Sequence, residues 1–60
     1  MTTIKMTAEQ TQAYDSGDAI TTDALMRRLR AEARNLAHLT NQTVEVVTSD
    51  GVVVHVEVAP

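Results

Sequence analysis

Residues 43–58 read TVEVVTSDGVVVHVEV, and they give the strongest indication of how this chain folds. Valine and threonine alternate with other residues on both sides of Ser49-Asp50-Gly51, which is the pattern of two antiparallel strands joined by a tight turn. We therefore predict a C-terminal β-hairpin with strands over 43–48 and 52–58.

The length of the turn decides which side chains share a face of this hairpin, because a slip of one residue reverses every side chain. A two-residue loop of Asp50 and Gly51 would place Val46 opposite His55. A three-residue loop that includes Ser49 matches valine with valine and leaves Glu45 opposite His55 on the other face. The matched pairs are Thr48 with Val52, Val46 with Val54, and Val44 with Val56. We predict this second register, with Gly51 in the left-handed conformation that closes such a loop.

The segment before the hairpin has the 3.6-residue periodicity of an amphipathic helix. We predict a helix over 22–39, with Thr22 as its N-cap and Asp23 near the positive end of the helix dipole. Its apolar residues fall on one broad stripe, which we expect to pack on the apolar face of the hairpin. They are Leu25, Met26, Leu29, Ala33, Leu36, Ala37 and, at the margin, Leu39.

The first third of the chain gives weaker patterns. Residues 3–7 alternate and predict a short strand, while Thr7-Ala8-Glu9-Gln10 matches a capping box that would begin a short helix from Ala8 to about Ser16, stopped at Gly17. The predicted fold class is α+β, in the order β-α-α-β-β, or α-α-β-β if the strand does not form. We expect one small domain over 1–60, with 22–58 as its core and 1–20 more weakly packed.

Length and composition limit the function. The chain has 60 residues, no cysteine, a single aromatic residue and a formal net charge of -3. A domain of this size buries only about 60% of its unfolded surface, so it is marginally stable alone and we expect a homodimer. A substrate pocket of several hundred Å³ would use most of the interior, which argues against an enzyme or a bound cofactor. The sequence shows neither a membrane span nor the apolar core of a signal peptide, and we expect a cytoplasmic protein.

A row of basic side chains lies opposite the apolar stripe of the predicted helix and is the first candidate for binding a partner. Its members are Arg27, Arg30, Arg34 and His38. Arginine makes bidentate contacts with carboxylates and phosphates, so such a row suits either kind of partner. The alternative is an ordinary solvated helix face. The net negative charge and the lack of aromatic residues for base stacking make direct binding of nucleic acid less favoured than binding of a protein or a protein–nucleic-acid complex.

The hairpin supplies the candidates for self-association, which are Val47, Val53 and His55. Val47 and Val53 pair on the predicted polar face, and a hairpin leaves unpaired backbone groups at its edges. The same face carries Glu45, His55 and Glu57, the one cluster that resembles an acid–base or metal site. A cross-strand ion pair explains this cluster more simply, so we assign no catalytic or metal-binding residue.

Two families resemble parts of the chain. A strand at Thr2–Met6 followed by two helices resembles ribbon-helix-helix repressors, in which Thr3, Lys5 and Thr7 would read the major groove of DNA. The segment from Ile20 through Leu29 into Val44–Val58 resembles the helix and hairpin of Phd/YefM-type antitoxins, although the alanine-arginine signature of that family is absent. These resemblances imply a DNA-binding repressor or antitoxin as the alternative function.

The sequence as a whole favours a small regulatory or inhibitory protein that acts by binding another macromolecule. Adjacent acidic and basic zones suit this role because they steer and select partners. Inhibitors carried by phages and mobile elements, such as anti-CRISPR proteins, have the same general profile.

Overall fold

The computed structural model describes residues 1–60, which form two helices and one three-stranded sheet. The elements are β1 (Thr2–Lys5), α1 (Ala8–Asp15), α2 (Ala19–Thr40), β2 (Val44–Val47) and β3 (Val53–Glu57). The fold is α+β in the order β-α-α-β-β, so the prediction that includes the N-terminal strand is confirmed. Neither helix combines the length and apolar character that crossing a membrane requires.

The sheet has the strand order β1-β2-β3, which makes β2 its central strand. β1 runs parallel to β2, with Ile4 opposite Val46, and the two helices form the connection between these strands. β2 and β3 are antiparallel and form the predicted hairpin. As a result β1 and β3 are the two edges of the sheet, and β3 is the longer edge strand.

α1 begins with the predicted capping box. The N–H of Gln10 donates to Thr7 Oγ1 at 3.1 Å, and the N–H of Thr7 donates to Gln10 Oε1 at 3.0 Å. These two bonds satisfy backbone groups that have no partner inside the helix. The helix ends at Asp15, and Gly17 follows with a φ of 79°, in the left-handed region that glycine adopts readily.

α2 begins at Ala19, three residues before the predicted start, because Asp18 and not Thr22 is its N-cap. The Asp18 carboxylate accepts hydrogen bonds from the N–H of Ile20 at 3.1 Å and from the hydroxyl of Thr21 at 2.7 Å. These hydrogen bonds, the one from Thr21 first, lower the pKa of Asp18 below its ordinary value of 3.8. An aspartate directly after the glycine that ends α1 is already well placed to begin a helix, so the predicted boundary was too late.

The core lies where α2 crosses the sheet. Its fully covered side chains come from α2, from β2 and from the residue after β1, and they are Leu29, Ala33, Ala37, Val44, Val46 and Met6. Around them pack the half-buried residues Ile4, Tyr14, Leu25, Met26, Leu36 and Val54. The predicted apolar stripe is thus confirmed except at Leu39, which is 84% exposed. α2 has 22 residues, or about 33 Å, and its last turn extends beyond the four-residue strand it covers.

Beyond the pairing of β1 with β2, two further hydrogen bonds attach the N-terminal third to the hairpin near its turn. The N–H of Met6 donates to the carbonyl of Val47 at 2.8 Å, and Thr11 Oγ1 accepts from the N–H of Ser49 at 2.8 Å. The same Thr11 hydroxyl donates to the carbonyl of Thr7 at 3.0 Å, and Thr11 is buried. One buried hydroxyl therefore connects the first turn of α1 to the turn of the hairpin.

The hairpin loop is the predicted three-residue loop. The N–H of Thr48 donates to the carbonyl of Val52 at 2.9 Å, which leaves Ser49, Asp50 and Gly51 between the paired residues. The N–H of Gly51 closes the turn on the carbonyl of Thr48 at 2.9 Å, and Gly51 has a φ of 89°. Both the loop length and the conformation of Gly51 are confirmed.

The predicted strand register is confirmed as far as the pair of Val47 and Val53, and it is wrong beyond that pair. Val47 lies opposite Val53, but the next residue of β2, Val46, lies opposite His55, so Val54 is an extra residue in β3. From this bulge onward Glu45 is opposite Val56 and Val44 is opposite Glu57. The prediction assumed uninterrupted alternation through 52–58, and a β-bulge shifts the alternation by one position.

Candidate interaction surface

The bulge changes which residues of β3 face the helix and which face away from it. Residues opposite each other in a sheet share a face, so His55 and Glu57 lie on the helix side with Val46 and Val44. Val53 and Val56 lie on the other side, which no helix covers and which we call the open face. The predicted division of the hairpin into a valine face and a charged face is therefore reversed along most of β3.

Three valines form an exposed row on the open face, which we call the valine stripe: Val53, Val56 and Val58. Val53 and Val56 are each 49% exposed and Val58 is 73% exposed. The N–H of Ala59 donates to Thr43 Oγ1 at 3.1 Å. This bond holds the chain at Val58 alongside the start of β2. An aligned row of branched apolar side chains on one strand is a more specific feature than scattered surface apolar residues.

The rest of the open face is polar except at its centre. β1 contributes Thr3 and Lys5, and the Thr3 hydroxyl donates to Glu45 Oε1 at 3.2 Å. Val47, a predicted dimer residue, lies between Lys5 and Val53 and is only 6% exposed. Its side chain therefore supports the neighbouring Val53 and offers little surface of its own.

The backbone of β3 is also unpaired on its outer side. The carbonyls of Thr43 and Val47 accept hydrogen bonds from the N-terminal segment, so alternate residues of β2 direct their backbone groups to β1. Val44 and Val46 must then bond to β3, where their partners are Glu57 and His55. It follows that the N–H and C=O groups of Val56 point away from the sheet, at an edge that no other strand covers.

His55, a predicted dimer residue, lies on the helix side of that edge. Its Nε2 is 3.1 Å from Glu57 Oε1, and both side chains are about three-quarters buried. Glu57 Oε2 is also 4.0 Å from Arg34 Nε on α2. The predicted opposition of Glu45 and His55 is wrong, because the bulge places these two residues on opposite faces of the sheet.

The histidine and its neighbours form a charged cluster and not a metal site. No three histidine, aspartate or glutamate side chains are close enough to hold a metal ion together. A shallow groove of about 440 Å³ lies beside His55 and is lined also by Tyr14, Met26, Arg30 and Val54. The larger groove of about 630 Å³ lies elsewhere, between α1 and the start of α2.

The predicted arginine row lies along α2, and parts of it are engaged in ion pairs. Arg27 is 2.9 Å from Asp23, one turn earlier on the same helix, and both side chains are exposed. Arg34 faces Glu57, while Arg30 lines the groove beside His55. His38 is exposed in the last turn of α2. Arg30 and Arg34 therefore border the helix side of the β3 edge, whereas Arg27 pairs within α2.

Two members of the valine stripe, Val56 and Val58, are not among the individual residues that we predicted from the sequence to take part in binding. The sequence does contain an indication of the bulge. Val52, Val53 and Val54 are three consecutive valines, and strict alternation would place the middle one on a polar face. The extra residue changes the positions after Val54, where His55 turns toward the helix side and Val56 stays on the open face.

No family model matches this chain, and neither a curated protein nor a solved structure is significantly similar to it.

Proposed function

We propose that this chain is a small, non-catalytic regulatory or inhibitory protein that acts as a homodimer by binding another macromolecule through the open face of its sheet. The valine stripe is the observation that carries this proposal. A chain with so few large apolar residues has little reason to leave three aligned valines in water unless a partner covers them.

The composition of the open face suits a protein partner. The apolar stripe on β3 is bordered on one side by polar residues of β2 and β1, namely Glu45, Thr3 and Lys5. Apolar surface next to a polar rim is typical of protein interfaces. A stripe of this size is small for a stable complex, so the partner contacts neighbouring surface as well. An inhibitor carried by a phage or mobile element, the class that the sequence favours, would bind its partner directly through such a surface.

The arginine row supports the alternative, a DNA-binding repressor or antitoxin. Arg30 makes no ion pair, and with Arg27, Arg34 and His38 it forms a line along one helix that could follow a phosphate backbone. Asp23 and Glu57 compete with phosphates for Arg27 and Arg34, however, and the net charge of -3 opposes binding to DNA. We therefore favour the protein partner.

Affinity capture from a lysate of the source organism, with and without nuclease, tests the choice between these functions. We expect the tagged protein to retain the same protein partners after nucleic acid is digested. Val58→Lys should abolish their retention, because a charge in the valine stripe would have to be desolvated in the complex. Leu39→Lys changes an equally exposed apolar residue outside the open face and is the matched control. Partners that disappear after digestion would contradict the proposal and favour the DNA-binding alternative.

A further inference from the structure

We propose that the free edge of β3 binds β3 of a second copy, antiparallel, with Val56 opposite Val56 of the partner at the twofold axis. This inference rests on the proposed function only in assuming that the protein is a homodimer. It names the contact that forms the dimer and leaves the open face free for another macromolecule.

The edge of β3 has few of the features that prevent strands from pairing. Proteins protect exposed edges with lysine, proline, very short strands or β-bulges. β1 is such an edge, since it has four residues and carries Lys5. β3 has five residues with neither lysine nor proline, and its outward backbone groups need a partner or water. The bulge of β3 is at Val54, before His55–Glu57, the centre of the proposed pair. Of the two edges, β3 is therefore the one that fits a second strand.

Backbone geometry limits the register of such a pair. In an antiparallel pair, hydrogen bonds form between residues whose backbone groups point toward the other strand. Beyond the bulge, the residues of β3 with this orientation are Val56 and, one residue past the end of the strand, Val58. A twofold-symmetric pair can then match Val56 with Val56, Val56 with Val58, or Val58 with Val58.

Side-chain complementarity selects among these three registers. Val56 opposite Val56 places His55 of each copy opposite Glu57 of the other, and it does so twice because of the symmetry. Val56 opposite Val58 places the two Glu57 carboxylates opposite each other, where like charges repel. Val58 opposite Val58 places Glu57 opposite Ala59 and gains no charge pair. The first register is the one whose side chains are complementary.

The groups around His55 strengthen this choice. The side chain of Glu57 from a second copy would arrive beside His55, where Arg30 lines the same groove on α2. In antiparallel pairs the residues without direct backbone bonds approach most closely, to about 4.5 Å between Cα atoms. Each imidazole would then lie between its own Glu57, at 3.1 Å, and that of the second copy. An incoming carboxylate would therefore lie near the imidazole of His55 and the guanidinium of Arg30.

The proposed dimer contains one six-stranded sheet, with β1 of each copy at its two edges. Because paired strands keep their faces, the two valine stripes become one continuous apolar area on the open face, while both copies of α2 stay on the other side. The dimer thus doubles the surface that we propose for binding. It also satisfies the backbone groups that a single copy leaves free.

Single-cysteine cross-linking tests this register, and the absence of native cysteine makes each variant unambiguous. At the axis the two Val56 Cα atoms would be about 5.5 Å apart, within the range that a disulfide spans. Two Val58 Cα atoms would be separated by four residues along the strands, or roughly 13 Å, which is too far. We therefore expect mild oxidation to link most of Val56→Cys into dimers. Val58→Cys and the remote control Leu39→Cys should each form at least about tenfold less disulfide-linked dimer than Val56→Cys.

Sedimentation of a charge variant separates edge pairing from packing through the open face. His55→Glu places two carboxylates opposite each other in the proposed register, so the dimer should dissociate at about tenfold higher concentration. Glu45→Gln changes a charge on the open face, and it should leave the dimer unchanged. A monomeric wild-type protein at about 100 μM, or Val58→Cys linking as well as Val56→Cys, would overturn the edge proposal. Retention of partners by a monomer would contradict the homodimer but would still support binding of another macromolecule through the open face.

Discussion

Val46 lies directly opposite His55 across the hairpin, one residue away from the pair formed by Val47 and Val53. The distance along β3 between these pairs is one residue longer than along β2, and the difference is Val54. This local insertion turns His55 and Glu57 toward α2 and leaves Val56 on the open face. The candidate interaction surface therefore depends on a single bulge.

Truncation of two valines in β3 tests the bulge. Val54 packs against the core, whereas Val56 is 49% exposed on the open face. Val54→Ala should lower the free energy of unfolding by about 1–2 kcal/mol, and Val56→Ala should lower it by about half as much or less. Denaturant unfolding of the two variants at one low concentration provides the comparison. Equal losses would favour the uninterrupted register, in which both valines face the helix.

The elements of this fold follow from local chemistry, which is why the sequence predicts them. The capping box at Thr7 and Gln10, the periodicity from Leu25 to Ala37, and the glycine-closed turn at Gly51 act over a few residues each. The start of α2 was misplaced by three residues because Thr22 and Asp18 are both acceptable N-caps. Only the tertiary structure shows that the Thr22 hydroxyl instead bonds the end of α1.

The faces of the hairpin could not be predicted in the same way. The alternation of side chains assigns residues to the faces of a strand only while no residue is inserted. One bulge moves every residue beyond it to the other face. The parallel pairing of β1 with β2 depends on contacts more than 40 residues apart, which no local pattern encodes. Both features are needed to identify β3 as an edge with valines on its open face.

The buried hydroxyl of Thr11 is expected to stabilise the attachment of α1 to the hairpin turn. Thr11→Val keeps the shape of the side chain but removes the acceptor for the N–H of Ser49. A backbone donor left without a partner should cost about 1–3 kcal/mol in the free energy of unfolding. Thr11→Ser retains the hydroxyl and serves as the control. Equal stability of Thr11→Val and Thr11→Ser, measured by urea unfolding, would show that this bond contributes nothing.

Gly51 should be the residue of the turn that is most sensitive to substitution. Its φ of 89° lies in a region that residues with a Cβ adopt at a cost, although a Cβ there would meet no neighbouring atom. Gly51→Ala should therefore lower the free energy of unfolding by about 1–2 kcal/mol through backbone strain alone. Gly51→Asn should cost less, since asparagine tolerates left-handed conformations. If thermal unfolding shows alanine and asparagine to be equivalent, backbone strain is not the cause.

The N-cap of α2 should make stability depend on pH in the acid range. Hydrogen bonds lower the pKa of Asp18 in the folded protein, so the stabilisation they provide is complete above the ordinary value of 3.8 and is lost as the pH falls through the lower, folded value. Asp18→Asn keeps an N-cap acceptor that does not titrate. Between pH 7 and about pH 2 the wild type should lose more stability than this variant. Parallel pH profiles in denaturant unfolding would contradict this role.

Solvent accessibility of individual valine methyl groups in the intact protein is the most direct test of the open face. A soluble paramagnetic probe relaxes the NMR signals of methyl groups that it can reach. We predict strong relaxation for Val53, Val56 and Val58, and protection of Val44 and Val46, which are fully buried. Edge pairing of β3 would leave this pattern unchanged, because it covers neither face. Protection of Val56 to the same degree as Val46 would contradict the bulged register and, with it, the interaction surface proposed for this protein.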